Sequence, residues 1–511
     1  MTLISRVLGL VRDIVIANLL GAGSAADVFF FANRIPNFLR RLFAEGAFAQ
    51  AFIPVFTQYK QQDDEDALRE LVARASGTLG LIVTLVTLVG MLASPVVAMI
   101  FGTGWFIDWL HGGPTADKFV LASLLLKITF PYLWFITFTG MAGAILNSFG
   151  RFAVASFTPV FLNVSMIAAA LFYAPHLARP EIGLAWGVFL GGVLQFAFQL
   201  PFLLRLKMLC RPRWGWRHEG VTRIRQLMLP ALFGVSVSQI NLLFDTFMAS
   251  FLVSGSISWL YYSDRLLEFP LGLFGIAIAT VILPTLSERH VDQDPKEFRL
   301  TMDWAVRMVG LLGIPAMAGM IVLATPMLRV LFMRGAFDQS DVLHAAHSLI
   351  AFSSGLLFFM LIKVFAPGYY ARQDTKTPVR YGIVAMFSNM IFNVIFVLPF
   401  GYVGMAMATA LSAFLNASLL YYGLTKSGIY SLSRYTLIFL LRVVISSLVM
   451  AAVLYFWLPD WSQWLHLRWL HCAGLLAAAI VVAIVVYGGC LVALGGRISH
   501  LKSSYGAVSD D

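Results

Sequence analysis

Long apolar segments, separated by short polar ones, follow one another along almost the whole chain. Most of them reach the ~20 residues that an α-helix needs to cross a bilayer. The pattern predicts an all-α polytopic membrane protein with fourteen transmembrane helices. The predicted spans cover residues 3–20, 27–56, 72–101, 119–146, 154–174, 182–204, 227–252, 259–286, 303–325, 343–367, 379–398, 402–424, 436–458 and 470–494.

The second half of the chain repeats features of the first. Arg34–Phe38 in the second span matches Arg265–Phe269 in the eighth, and both follow an aromatic run and a short Gly-Ser loop. Gly183–Gly187 in the sixth span matches Gly404–Ala408 in the twelfth. Because six spans separate the copies, they share one orientation and are related by an axis along the membrane normal.

The repeat predicts two pseudo-symmetric six-helix lobes around a central cavity, plus two extra C-terminal helices. The N-lobe covers residues 1–206, a basic cytoplasmic loop and the C-lobe cover residues 207–426, and the appended pair with a cytoplasmic tail covers residues 427–511. Two parallel lobes that face a cavity are the plan of an alternating-access transporter.

Composition and charge agree with this fold. Only 12% of the 511 residues are charged, whereas a soluble domain has about 25%. Lysine and arginine collect in the loops that follow even-numbered spans. The loops after odd-numbered spans hold a few: Lys118, Arg179, Arg329, Arg334 and Arg468. The positive-inside rule then places both termini in the cytoplasm.

The net charge of +10 is therefore read as a topology feature, and no nucleic-acid motif accompanies it. The basic, Trp-rich connection 205–226 either sets topology or contacts the anionic leaflet. The three cysteines, Cys210, Cys472 and Cys490, predict neither a disulfide framework nor a metal site. The chain contains no phosphate-cradling GxxxxGK[ST] loop and no nucleophile motif, so we predict that it is not an enzyme.

Charged residues inside the spans define the candidate site. A cation at bilayer depth costs ~2.5–3.5 kcal/mol on insertion scales, so it normally faces a water-filled cavity or a partner. Arg6 and Arg12 lie in the first span and Arg40 lies in the second, with few acids to balance them. We therefore predict a cavity built for an anion. Asp13 shares a helix face with Arg6 and is expected to pair with it, although Arg6 could instead snorkel.

Local pairing sorts the charges of the second span. Arg41 and Glu45 are an i,i+4 pair and are expected to satisfy each other, which leaves Arg40 for a substrate. Asp27 begins the span, where it either caps the helix N-terminus or pairs with the helix dipole, or else makes a gate contact to an arginine across the cavity. Four single charges on long spans are expected to snorkel: Lys127, Arg307, Lys363 and Arg442.

The eighth span carries a second charged group. Arg265 and Glu268 are three residues apart and so favour an ion pair, at the positions that the repeat matches to Arg34 and Asn37. Both lobes would thus direct polar groups at the same part of the predicted central cavity. Arg34, Asn37 and Ser258 are secondary cavity candidates.

Oxygen-bearing side chains on three helices suggest a second kind of site. Asp245 lies in the seventh span, Asn389 and Asn393 share one face of the eleventh, and Thr409 lies in the twelfth. These residues could hold a small hard cation. Interhelical hydrogen bonding is the alternative.

Several long stretches resemble the MurJ/MviN family, the lipid II flippase branch of the MOP exporter superfamily. They are SRVLGLVRD (5–13), ADVFFFANRIPNFLRRLFAEGAFAQAFIP (26–54), LLKITFPY (125–132), GVSVSQIN (234–241), SWLYYSDRLLEFPLGLFGIAIATVILPTLS (258–287) and APGYYARQDTKTPV (366–379). The resemblance runs over essentially the whole chain. Family members usually have a further short segment before the position of Thr2, so Met1 is expected to be an internal or misassigned start.

The resemblance implies a multi-pass protein of the bacterial inner membrane that flips lipid II for peptidoglycan synthesis. Arg12 and Arg40 match family arginines that face the cavity, and Arg6 matches one at its cytoplasmic side. Arg265 matches the arginine that the family has in the second lobe, and Asp27 and Glu268 match acidic positions that the family needs for function. Spans 13 and 14 resemble the pair of helices that forms a groove for the polyprenyl tail.

The resemblance also implies a possible sodium ion, since some members bind sodium in the second lobe. Asp245, Asn389, Asn393, Thr409 and the carbonyl of Met405 match that site, with Asn393 in the place of an aspartate. No other cofactor is implied. The expected partners are lipid II, membrane lipids and nearby cell-wall synthesis proteins, with a monomer as the functional form.

Two other interpretations stay open. One is an exporter of another polyprenyl-linked polysaccharide or an ion-coupled drug exporter, although cavity arginines would repel cationic drugs. The other is a membrane-embedded enzyme that acts on polyprenyl phosphates, which would need clustered acids or histidines at the membrane edge.

Overall fold

Residues 2–41, 48–288 and 295–496 are described by a computed structural model, and these ranges contain helices and no strand. The chain divides into two compact units. Unit 1 contains the described residues up to Ser258 together with Arg334–Asp338, and unit 2 contains Trp259–Met333 and the described residues from Gln339 onward.

Twelve α-helices of the described chain lie in unit 1. They are α1 (Thr2–Leu20), α2 (Ser24–Arg40), α3 (Phe48–Gln61), α4 (Glu65–Leu92), α5 (Ser94–Phe101), α6 (Thr103–His111), α7 (Ala116–Thr129), α8 (Pro131–Ser148), α9 (Phe152–Phe157), α10 (Pro159–Ala168), α11 (Pro180–Arg205) and α12 (Glu219–Ala249). A π-helical turn (Ala169–Tyr173) and a 3₁₀ turn (Ala174–His176) extend α10.

Helix α13 (Ser256–Glu288) begins in unit 1 and continues in unit 2. The helices that follow all belong to unit 2. They are α14 (Pro295–Leu331), α15 (Gln339–Ser353), α16 (Leu356–Tyr370), α17 (Lys376–Phe400), α18 (Tyr402–Lys426), α19 (Arg434–Trp457), α20 (Trp461–His466) and α21 (Trp469–Ala493).

Within the described ranges, 10 helical stretches are long and apolar enough to cross a membrane. They coincide with predicted spans three to six and nine to fourteen. The other four predicted spans fall on α1, on α2 with α3, on α12 and on α13, the helices that carry every charged candidate. The polytopic all-α fold is confirmed, and the count of fourteen spans stays a prediction.

Local chemistry explains where the third span differs from the predicted range. Helix α4 begins at Glu65 because the side chain of Asp64 accepts hydrogen bonds from the N–H groups of Asp66 and Ala67. It ends at Leu92 because Pro95 has no N–H group to continue the helical hydrogen bonds, and Pro95 instead lies in the first turn of α5. The structure therefore divides the predicted span at 72–101 into α4, which begins before residue 72, and a separate α5.

Breaks in the fourth and tenth spans support the sequence repeat. The fourth span consists of α7 and α8, which are separated at Phe130, and the tenth consists of α15 and α16, which are separated at Ser354 and Gly355. Both breaks lie in the middle of a stretch long enough to cross a membrane. Matching interruptions in corresponding spans are expected of two copies of one fold.

Small residues bring α10 and α11 close together. Gly183, Gly187 and Gly191 recur every four residues along one face of α11. A Cβ atom on Gly187 would lie 2.7 Å from the Cβ of Ala169, and one on Gly191 would lie 2.6 Å from the Cδ1 of Leu162. Inside a bilayer, such backbone proximity is the main source of helix association, because lipid tails are as apolar as the side chains.

The compact units and the predicted lobes are different partitions of the chain. Helix α12 follows residue 207, yet it packs within unit 1 against α2, α3, α4 and α5. The lobe boundary describes the sequence repeat and stays a prediction. The appended helices α19 and α21 pack against each other and against α14 in unit 2.

Candidate functional site

Arg12 is held by an ion pair on its own helix. Its Nε and Nη2 atoms lie 3.0 and 2.8 Å from Oδ1 of Asp13, and its Nη1 donates to Oδ1 of Asn163 on α10 at 3.0 Å. The side chain of Arg12 is 11% exposed. The expected Arg6–Asp13 pair is wrong, because the long side chain of Arg12 folds back onto its neighbour, while Arg6 is exposed.

Helix α2 carries half-buried polar groups on successive turns. Arg40 Nε donates to Oδ1 of Asn37 at 3.2 Å, and Nδ2 of Asn37 donates to the carbonyl of Asn33 at 2.9 Å. Arg34 Nη1 donates to the hydroxyl of Thr246 on α12 at 3.3 Å. Arg41 is exposed, and its expected partner Glu45 lies outside the described residues.

Asp27 is 1% exposed, and its carboxylate contacts Lys118 and the start of α13. Its Oδ2 lies 3.0 Å from Nζ of Lys118 and accepts the N–H of Gly255 at 2.7 Å. Its Oδ1 accepts both the N–H and the hydroxyl of Ser258, at 3.0 and 2.8 Å. The carboxylate is thus neutralised by a lysine and by the start of α13.

The structure corrects the capping and arginine interpretations of Asp27, whereas its place in the first turn of α2 fits the interaction with the helix dipole. The cation that contacts it is Lys118 rather than an arginine, and the helix whose N–H groups it accepts is α13 rather than its own. Sequence analysis counted Lys118 as an ordinary loop lysine. The sequence carries no signal for this pair, because the two residues lie 91 positions apart and only packing brings them together.

On α13, Arg265 and Glu268 form the expected i,i+3 ion pair at 2.8 Å. Nε of Arg265 also contacts the hydroxyl of Tyr261 at 3.2 Å. Since the two side chains are 35% and 48% exposed, the pair stabilises the helix by about 1 kcal/mol or less.

The residues of the predicted sodium site fall in different parts of the chain. Asp245 belongs to unit 1, and the other four belong to unit 2. Within unit 2, Nδ2 of buried Asn393 donates to Oδ1 of Asn389 at 3.0 Å. The hydroxyl of Thr409 donates to the carbonyl of Met405 at 3.0 Å. The described chain contains no group of three or more His, Cys, Asp or Glu residues that could hold a metal.

The donor chemistry of these four residues fits a weakly held hard cation. Amide, hydroxyl and carbonyl oxygens are the ligands that such ions prefer. A carbonyl oxygen has two lone pairs and a hydroxyl has two acceptor positions, so the Thr409–Met405 hydrogen bond leaves acceptor capacity on both groups. None of these oxygens carries a full charge.

A buried polar cluster in unit 2 was missed from sequence. Asp303 is 6% exposed and accepts from the hydroxyl of Tyr430 at 2.7 Å. Arg307, one turn later, is 5% exposed and donates to Thr436 at 3.4 Å, so the expectation that it snorkels is wrong. Burial, and then the adjacent carboxylate of Asp303, raise the pKa of Tyr430. The i,i+4 spacing of acid and base was the overlooked signal.

Unit 2 also contains an apolar cavity of about 190 Å³. Its walls come from α14, α16, α18 and α19, and they include Val306, Gly310, Leu357, Tyr421 and Leu440. Helix α19 is the first of the two appended spans. A cavity of this composition accepts a hydrocarbon chain rather than a polar group.

Comparison with solved structures identifies the fold of the protein. A structure titled "Inward-facing conformation of a multidrug resistance MATE family transporter of the MOP superfamily" covers 83% of this chain and 95% of its own, with a TM-score of 0.68 and 13% identity. At that identity the likeness shows the fold alone. The chain therefore has the helical fold of a MOP-type membrane transporter.

Closer relatives identify the family. The family model described as "Lipid II flippase MurJ" matches residues 16–471. "Probable lipid II flippase MurJ" of Vibrio cholerae is 64% identical over 504 residues, which is 99% of this chain and 96% of the relative. "Lipid II flippase MurJ" of Burkholderia cenocepacia is 41% identical, over 91% of this chain and 90% of its own.

A solved structure agrees with these relatives. "Lipid II flippase MurJ, inward closed conformation" has a TM-score of 0.79 and 27% identity, and the match covers 96% of both chains. The chain belongs to the MurJ family of lipid II flippases.

Proposed function

We propose that this protein is a lipid II flippase of the bacterial inner membrane. It transfers the undecaprenyl-diphosphate-linked disaccharide pentapeptide from the cytoplasmic to the periplasmic leaflet, where peptidoglycan is assembled. Family membership supports the substrate. The protein acts as a transporter rather than an enzyme, because moving the lipid between leaflets breaks no covalent bond.

The observation that carries the proposal is a set of arginines on α1, α2 and α13, three helices that coincide with predicted membrane spans. Arg12 is mostly buried on α1, while Arg34 and Arg40 are half-buried on α2 and Arg265 on α13. Arginine binds phosphate oxygens through two parallel N–H bonds, a geometry that lysine does not reproduce. In this proposal Arg12, Arg34, Arg40 and Arg265 supply the phosphate contacts, and Arg6 lies at the cytoplasmic entrance. Asn37 and Glu268 stay predicted cavity residues, whereas Asp27 and Ser258 are buried and hydrogen-bond to each other.

Transport follows alternating access. The headgroup enters an inward-open cavity from the inner leaflet, and the two repeats then rock to release it on the opposite side. The polyprenyl tail stays in lipid along spans 13 and 14. The apolar cavity beside α19 supports this route, because it has room for part of a hydrocarbon chain.

A sodium ion is a further element of the proposal. The oxygens of Asn389, Asn393, Thr409 and Met405 would hold it in unit 2. Asp245, which the family resemblance also matches to a sodium site, belongs to unit 1. Binding and release of the ion would couple transport of the lipid to the sodium gradient across the membrane. The membrane potential and a proton gradient are the alternative energy sources, since moving one charge across 100 mV is worth about 2.3 kcal/mol.

The test measures lipid II on the periplasmic leaflet of cells that depend on this protein, using an added enzyme that cuts only exposed lipid II. Arg12→Ala, Arg40→Ala and Arg265→Ala are introduced separately. Each loses a charge-assisted contact worth about 1.5–3 kcal/mol, which is roughly a 10- to 100-fold loss of flipping.

Arg41→Ala is the matched control for Arg40→Ala, because Arg41 is adjacent and exposed. It is expected to flip at the parental rate, and all variants should reach parental levels in the membrane. Lipid II that stays exposed after depletion of the protein refutes the proposal and favours another polyprenyl-linked substrate. Normal flipping by all three variants refutes the role of the arginines.

A further inference from the structure

Three helix N-termini meet around Asp27 in unit 1. Asp27 lies in the first turn of α2, Lys118 lies in the first turn of α7, and Gly255 and Ser258 belong to the start of α13. Each helix N-terminus carries roughly half a positive charge. These like-signed ends repel one another unless an anion lies between them, and the carboxylate of Asp27 supplies that anion.

The sequence repeat makes this meeting point significant. The alignment that pairs Arg34 with Arg265 also pairs Asp27 with Ser258. The two equivalent positions of the repeat therefore hydrogen-bond to each other. We call the contacts of Asp27 with Gly255 and Ser258 the junction.

The backbone of the α12–α13 turn is shaped for the junction. Gly255 has φ +98°, a left-handed conformation that favours glycine, and its N–H is the one that reaches Oδ2 of Asp27. A second contact lies beside it, where the N–H of Gly104 donates to the hydroxyl of Ser250 at 3.0 Å. Ser24 and Ser254 mark the exposed edge, with their hydroxyl oxygens 3.3 Å apart.

Lys118 completes the junction from a third helix. Its side chain is 4% exposed, and its ammonium group lies 3.0 Å from Asp27 and 5.3 Å from the centre of the Trp105 ring. The ring face attracts the cation and lowers the cost of its burial. If the ammonium group is removed, the buried carboxylate of Asp27 stays charged without its counter-cation. An uncompensated buried charge strongly destabilises a folded protein.

We propose that Lys118 is a positioning residue for the flippase. Its ammonium group fixes the carboxylate of Asp27 against the first turn of α13, and so holds the junction closed during the part of the transport cycle that needs it. This inference rests on the proposed flipping of lipid II. It assigns Lys118 no contact with the substrate.

The experiment uses the full chain with Ser24→Cys and Ser254→Cys, whose disulfide reports closure of the junction. Lys118→Met keeps the length and apolar stem of lysine without its charge. It is expected to slow disulfide formation by about tenfold or more and to lower flipping. Lys118→Arg is expected to restore most of both, because it restores the cation.

Two controls separate this role from general misfolding. Lys127→Met removes an exposed cation from the same helix and is expected to change neither readout. Asp27→Asn combined with Lys118→Met removes both charges, so its disulfide should form at least as fast as in Lys118→Met alone. Membrane level and thermal unfolding are compared for every variant.

The inference is overturned if Lys118→Met forms the disulfide at the parental rate. It is also overturned if the double variant forms the disulfide more slowly than Lys118→Met alone. The disulfide readout needs no lipid II. If the parent protein fails to flip lipid II, the proposed function fails while closure of the junction is still measured. If the parent flips and Lys118→Met closes normally, only the inference fails.

Discussion

Helix periodicity identifies the partner of some charged residues in the described helices, such as Arg265 and Glu268, but not of others. Asp13 pairs with the next-door Arg12 instead of Arg6, and Asp27 pairs with Lys118. A long arginine or lysine side chain can reach several neighbours, so spacing along one helix selects a set of possible partners. Burial then selects among them, because an uncompensated charge is costly inside the protein.

Asn393 gives a prediction at this scale. In Asn393→Asp, the donor to Asn389 becomes a carboxylate oxygen, so two oxygens face each other unless a cation lies between them. We expect the variant to be less stable than the parent in choline chloride and to be stabilised by sodium chloride. A ligand at 100 times its Kd adds about 2.7 kcal/mol.

Thermal unfolding of the purified protein in sodium, potassium and choline chloride at equal ionic strength measures this effect. The parent protein is expected to respond to sodium less than the variant does. Equal unfolding temperatures of Asn393→Asp in all three salts would remove the sodium site from the proposal.

At the scale of the element, the position where a helix ends and the distance at which two helices pack depend on different residues. Caps and prolines set the ends, as Asp64 and Pro95 do for α4 and α5. Small residues set how closely the faces approach, and the α10–α11 pair depends on a row of glycines. The hydroxyl of Ser165 also reaches the carbonyl of Gly187 at 2.8 Å, which close approach makes possible.

Gly187→Ala is expected to destabilise the protein. Its new Cβ would lie 2.7 Å from Cβ of Ala169, closer than packed atoms allow. Overpacking of this kind costs about 1–3 kcal/mol. Gly488→Ala on α21 is the matched control, because nothing lies within 4 Å of its Cβ position.

The control is expected to be neutral or stabilising, since alanine favours a helix by about 1 kcal/mol over glycine. Thermal unfolding in detergent compares the two variants. Equal unfolding temperatures would mean that α10 and α11 separate easily, and that the glycine face contributes little to stability.

At the scale of the whole molecule, loop charge orients the spans. The excess of Lys and Arg in alternate loops predicts cytoplasmic termini. Ser427 lies between spans 12 and 13, Ser462 lies between spans 13 and 14, and both are exposed. These two serines therefore provide sites that report on opposite sides of the membrane.

We expect Ser462→Cys to react with a membrane-impermeant maleimide in intact cells, and Ser427→Cys to react only after the membrane is opened. The parent protein, which keeps Cys210, Cys472 and Cys490, gives the background. The reverse pattern would invert the predicted topology and place the basic loops in the periplasm.

Much of the architecture was predictable because each spanning helix satisfies its own backbone hydrogen bonds. Hydropathy therefore located the ten apolar spans. The ion pair between Arg265 and Glu268 was also predictable, since both residues lie on adjacent turns of one helix. Burial of Asp303 and Arg307 was not predicted, because their i,i+4 spacing indicates a shared helix face but does not say whether that face turns inward.

The sequence by itself determined that this is a polytopic helical protein with an internal repeat, and it pointed to the family through long motifs. These properties depend on local order along the chain. The tertiary structure decided which charges meet. Lys118 lies 91 residues and Ser258 lies 231 residues from Asp27. Their contacts exist only because packing brings three helix N-termini together, with the carboxylate of Asp27 between them.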